Sequence, residues 1–166
     1  MTTEKYISSH AHAAKLIRAE LKKHGIKATV TSSTYAGGNS VSVGLTDLAP
    51  WTCKAVQAFC AQFQYGRFDG MTDCYEYTND RKDIPQVKYV SVEHSFSEEL
   101  KQEAWTFLRN IYKRQFAEMS ENFTEAKNER FNDVGYTRVD YVVRCALKNE
   151  WGRHHFWQKP KVRAAA

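Results

Sequence analysis

Two short runs that alternate with period two, Lys27–Ser33 and Ser40–Thr46, constrain this fold most. In the first, Ala28, Val30 and Ser32 alternate with Thr29 and Thr31. In the second, Val41, Val43 and Leu45 alternate with Ser40, Ser42 and Gly44. Strand side chains point to opposite faces in turn, so this pattern predicts two half-buried strands. Between them Thr34-Tyr35-Ala36-Gly37-Gly38-Asn39 supplies glycine and asparagine for the positive-φ positions of a hairpin. The loop expected there is long for a hairpin and rich in hydrogen-bonding groups.

Helical patterns surround this pair. Ala13, Ala14, Leu16, Ile17 and Leu21 recur at three-to-four spacing, and Gly25 follows Lys22, Lys23 and His24 where a C-cap belongs. A helix is predicted over residues 9–24. Pro50 suits a first helical turn, with Asp47 or Thr46 as cap, and opens a helix over 50–65 with the stripe Val56, Phe59, Cys60 and Phe63. Arg67–Asp73 reads as a compact loop, and Val87–Phe96 as a third strand. Ser97, followed by Glu98 and Glu99, caps a helix running to about Phe116, its stripe Leu100, Ala104, Phe107, Leu108 and Ile111. Glu118–Asp133 is polar and fits either a helix or a link. Thr137–Glu150 fits a helical face through Val139, Val142, Val143, Ala146 and Leu147, with a strand as the alternative because the run is valine-rich.

The order α-β-β-α-β-α implies the α+β class: a small antiparallel sheet of about three strands with helices on one face, plus a partly helical C-terminal extension. The expected domains are residues 1–116 and 117–166. A chain of 166 residues with 42% hydrophobic residues is long enough for a core without metals or disulfides. No apolar run reaches the roughly 20 residues of a membrane helix, and Met1–Lys15 has no signal-type stretch. The expected location is the cytoplasm.

The net charge of +5 favours acidic partners, nucleic acid among them, only weakly. Cys53, Cys60, Cys74 and Cys145 lack CxxC spacing, which argues against a zinc ribbon and for small core filler. His10 with His12, and His154 with His155, are poorly spaced as metal partners. No GxSxG, Walker A or HxE…PCxxC signature occurs, so no enzyme and no cofactor are expected.

Three pieces in this order and spacing resemble a known family. They are Ala14-Lys15-Leu16-Ile17-Arg18 with Leu21-Lys22, the stretch Ser32–Ser40 before a Val-x-Val strand, and Phe68-Asp69-Gly70-Met71-Thr72-Asp73. Together they resemble the large polyvalent protein-associated domain of type 29, over roughly Tyr6 to Phe96 with an outer limit at Tyr112. Such domains occur in proteins of phages and conjugative elements, often fused to other modules. The resemblance implies a context of mobile elements in conflict with host defences, and no activity that carries over. The expected function is a non-catalytic accessory protein that binds and blocks a host defence complex in a bacterial host cell. The alternative is a module that binds the element's own DNA or RNA, and the second alternative is a metal-dependent enzyme using Asp69 and Asp73.

Candidate contacts fall in two places. Tyr35 and Asn39 stand in the glycine-rich loop, whose backbone N–H groups could hold a ligand. In the tail, Trp151 and Trp157 interleave with Arg153, Lys159, Lys161 and Arg163, a composition that serves single-stranded nucleic acid, a protein partner, or packing onto the chain itself. Asp69 and Asp73, with Glu76 nearby, are weak candidates for a divalent ion. The competing expectation for that loop is that Asp69 caps local N–H groups, Gly70 takes a left-handed conformation, and Phe68 and Met71 pack inward.

Overall fold

A computed structural model describes residues 8–131, 137–150 and 155–157. The chain divides into two compact units, Met1–Ser95 and Phe96–Ala166.

The first unit opens with α1 (Ser9–Lys23), which buries Ala13, Ala14, Ile17 and Leu21. Gly25 then takes a φ of +69°, and the N–H of Ile26 returns to the carbonyl of Leu21 at 2.9 Å. This satisfies a carbonyl that the helix end would otherwise leave open. β1 (Ala28–Tyr35) and β2 (Gly38–Thr46) follow as an antiparallel hairpin. The turn is shorter than expected, because the ladder closes at Tyr35 and Gly38 and leaves Ala36 and Gly37 between them. Gly37, at φ +94°, makes that tightness accessible.

α2 (Pro50–Ala61) begins with Pro50 in its first turn. Its N-cap is Ala49, with no side-chain bond, so neither Asp47 nor Thr46 plays the expected role. The expected compact loop is instead a second hairpin, β3 (Gly66–Asp69) with β4 (Cys74–Tyr77). β5 (Tyr89–Ser95) completes the main sheet in the order β1-β2-β5.

The α+β class holds, with one amendment: β5 runs parallel to β2, so the sheet is mixed. A parallel neighbour needs a crossover, which α2 and the second hairpin supply. Val41, Val43 and Leu45 are fully buried on one sheet face, in one core with Ile17 of α1 and Val56 and Cys60 of α2. Each such side chain contributes about 1.5–3 kcal/mol of hydrophobic stabilisation. The opposite face is polar and carries hydroxyl contacts across strands: Ser33 with Ser40 at 2.9 Å and Ser42 with Ser91 at 3.0 Å.

The second unit opens with α3 (Glu98–Ile111), where the Ser97 side chain accepts from the Leu100 N–H at 3.2 Å, as its position predicts. α3 ends at Ile111, short of Phe116. The short α4 (Phe123–Ala126) and the bridge of β6 (Arg130–Phe131) with β7 (Thr137–Arg138) lead into α5 (Val139–Leu147). All five apolar residues expected on the α5 face are buried. The largest buried side chain here, Trp105, lies beside the expected α3 stripe, and its indole N–H donates to the Ser120 carbonyl at 3.0 Å.

A tyrosine face on the first unit

The second hairpin sets side chains out by strand parity. Gly66 and Phe68 share one face with their partners Tyr77 and Tyr75, while Arg67 and Glu76 pair on the other at 3.0 Å. Gly66 is required here. A Cβ at that position would sit 2.1 Å from the Glu76 carbonyl oxygen and 2.4 Å from the Tyr75 ring. The absent side chain lets β4 close down and brings its tyrosines over Tyr65.

Tyr65 is positioned by a backbone splint. Its N–H donates to the Val87 carbonyl at 3.0 Å, and the Val87 N–H donates to the Phe63 carbonyl at 2.8 Å. Gln64 ties the same segment to β5, with its Oε1 accepting from the Val90 N–H at 2.8 Å.

The result is a cluster of tyrosines. Tyr65 stacks on Tyr77 with ring centroids 5.5 Å apart and planes 9° from parallel. Tyr75 meets Tyr65 and Tyr89 edge-on at 5.6 and 5.7 Å. The Lys88 ammonium lies 5.2 Å from the Tyr75 ring centre and 5.6 Å from that of Tyr89, a cation–π geometry. It also donates to the Gly37 carbonyl at 2.8 Å, joining the first hairpin's turn to the cluster. Tyr77 and Phe68 are largely exposed, at 79% and 51%, as is Met71 at the hairpin turn.

Burial, and then the neighbouring Tyr65, Tyr89 and Tyr77, push the Tyr75 hydroxyl up to about 12. Its proton is donated to the Lys88 carbonyl. At neutral pH Tyr75 is therefore an uncharged phenol, suited to stacking and hydrogen bonding rather than to nucleophilic chemistry.

Of the residues singled out in the sequence, Tyr35 is half exposed beside this cluster. Asn39 acts as a tie: its Oδ1 accepts from the Lys88 N–H at 2.8 Å and its Nδ2 donates to Ser9 Oγ at 3.4 Å. Asp69 caps its own turn, accepting from the Met71 N–H at 2.9 Å and the Thr72 hydroxyl at 3.1 Å. Those bonds, the Met71 N–H first, hold its carboxyl below the usual range. The left-handed residue in this turn is Asp73, at φ +54°, rather than Gly70, and Phe68 and Met71 face outward rather than inward. Among the described residues no group of three or more metal-ligating side chains forms. Cys53 and Cys60 are buried as core filler, whereas Cys74 is exposed.

Trp157 packs within the second unit, with its indole N–H donating to the Leu147 carbonyl at 2.8 Å. Trp151, Arg153, Lys159, Lys161 and Arg163 lie outside the described residues. Tyr65, Tyr75, Tyr77 and Tyr89 were not singled out as contacts. The available signal was Tyr75 and Tyr77 two apart in a strand, which sets both on one face.

Residues 8–104, more than half of the chain, match the family described as large polyvalent protein associated domain 29. The chain belongs to this family. The match takes in α1, both hairpins and β5, and so the whole tyrosine face of this domain-29 chain. No curated protein and no solved structure matches it. Among the described residues no helix is long and apolar enough to cross a membrane.

Proposed function

We propose that this chain is a non-catalytic accessory protein of a phage or other mobile element, which binds a host defence complex through its tyrosine face and blocks it. The observation that carries this is a cluster of tyrosines in which Tyr35 and Tyr77 are exposed and Tyr65, Tyr75 and Tyr89 are half-buried beneath them. Tyrosine offers large, stiff contact area with a hydroxyl at its tip, and it is enriched where protein interfaces gain most of their energy. Family membership supports the mobile-element context.

The surroundings favour a protein over a nucleic acid. Asp69 and Asp73 stand in the turn segment of the hairpin that carries Tyr75 and Tyr77, and its one arginine, Arg67, is paired with Glu76 on the opposite face. Carboxylates at that position repel phosphate and attract arginine or lysine of a protein partner, which tyrosine rings also bind well.

The test is capture of the tagged chain's partners from host lysate, with and without nuclease, beside the Tyr35→Ala/Tyr77→Ala variant. The expected result is a stoichiometric defence protein that survives nuclease and is lost with the variant. Recovery that collapses with nuclease transfers the function to nucleic-acid binding. Recovery unchanged in the variant removes the tyrosine face.

A further inference from the structure

β1 is the outer strand of its sheet, and among the described residues it pairs with β2 alone. In an antiparallel ladder alternate residues turn N–H and C=O away from the partner. The Arg18 guanidinium reaches the Val30 carbonyl from outside, at 2.7 Å. Val30 is thus an outward-turned residue, and by period two so are Ala28, Ser32 and Thr34.

Natural sheets blunt such edges with charge, proline or bulges. Ala28–Tyr35 has neither charge nor proline, and its ladder to β2 is unbroken from Ala28↔Leu45 to Tyr35↔Gly38. The β5 edge differs, since Gln64 occupies the Val90 N–H. What guards β1 is the Arg18 side chain, which can rotate away.

Alongside this edge, between α1 and β1, runs a groove of about 450 Å³. Its floor is Leu21, Ile26, Ala28 and Val30, its rim is Arg18, Lys22 and Lys27, and no carboxylate lines it. An added strand would set one apolar side chain over that floor and bring its neighbours to the rim. A second copy pairing antiparallel through the same edge would set its Ser32–Thr34 against the rim and answer none of that charge.

We infer that the β1 edge takes an extended, acidic peptide segment of a partner protein as an additional strand of the sheet. Main-chain bonds supply the affinity in this mode, and alternate side chains supply the specificity. On docking, Arg18 yields the Val30 carbonyl to an incoming N–H and turns to a carboxylate of the peptide. Of the tyrosine face only Tyr35 belongs to this strand, and by period two it is not one of the outward-turned residues.

The experiment is fluorescence polarisation of the full chain with a labelled peptide of alternating glutamate and valine, against its lysine–valine counterpart. Ser32→Pro removes an outward N–H that the β2 ladder does not use. Lys22→Glu/Lys27→Glu reverses the rim charge at exposed positions and covers the case where the proline variant misfolds. The expected result is binding of the acidic peptide only, weakened by about tenfold or more in each variant, a change of about 1.4 kcal/mol, and unmoved by Tyr77→Ala. Equal binding of the two peptides, no binding of the acidic one at about 1 mM, or full affinity in the rim-reversed variant overturns the inference. So does sedimentation showing that the chain dimerises and that Ser32→Pro abolishes the dimer.

Discussion

Gly66→Ala is the most telling single change, because it adds one methyl group at the point where the tyrosine face is assembled. The new Cβ would lie 2.1 Å from the Glu76 carbonyl oxygen, against a closest real approach of 3.0 Å, so the strands must part by nearly an ångström. The obstacle is backbone and the edge of the half-buried Tyr75 ring, which is held by its neighbours and its bond to the Lys88 carbonyl. Overpacking of this kind costs about 1–3 kcal/mol. For a unit of this size that lowers the melting transition by about 4 °C at the low end and about 20 °C at the high end. The Tyr65–Tyr77 stack depends on the same closure, so the near-ultraviolet circular dichroism of the tyrosines falls as well. Thermal melts and near-ultraviolet spectra of wild type and variant decide the matter. A variant within about 0.5 kcal/mol of wild type, with its tyrosine signal intact, refutes the claim that close β3–β4 approach builds the face.

Two further outcomes follow from local geometry. Ser97→Ala removes the side-chain acceptor for the Leu100 N–H and should cost about 0.5–2 kcal/mol, read as a lower denaturant midpoint at constant slope; an unchanged midpoint contradicts the cap. Because the Tyr75 pKa is raised in the folded chain to about 12, its contribution to stability is complete below its ordinary value of about 10 and is lost as pH climbs from there through about 12. A tyrosinate absorbance titration of wild type minus Tyr75→Phe should show its step near 12, and a step near the ordinary value contradicts the burial argument.

What could be read from the sequence was local. α1, the Ser97 cap and the buried face of α5 rest on spacing and caps within a few residues, and each stands where the pattern sets it; the first hairpin does too, except that its strands run on to Tyr35 and Gly38 and leave a two-residue turn. The parallel pairing of β2 with β5 depends on contacts far apart in the chain, and no local pattern distinguishes it from an antiparallel neighbour. The second hairpin was missed because its strands, Gly66–Asp69 and Cys74–Tyr77, are too short for period two to stand out. Asp73, rather than Gly70, supplies the left-handed residue of its turn. The same gap hid the tyrosine face, whose members Tyr35, Tyr65, Tyr75, Tyr77 and Tyr89 come from separate segments. Only Tyr35 drew notice, through its glycine neighbours. Asn39 drew notice for the same reason, yet both ends of its amide hold the unit together.

Whether the tyrosine face blocks a host defence complex is decided by adding purified chain, at rising concentration, to the complex it captures and measuring cleavage of that complex's target. Cleavage is expected to be lost as the chain approaches equal stoichiometry and retained with Tyr35→Ala/Tyr77→Ala. Cleavage that continues at full rate while the chain is bound would contradict that reading.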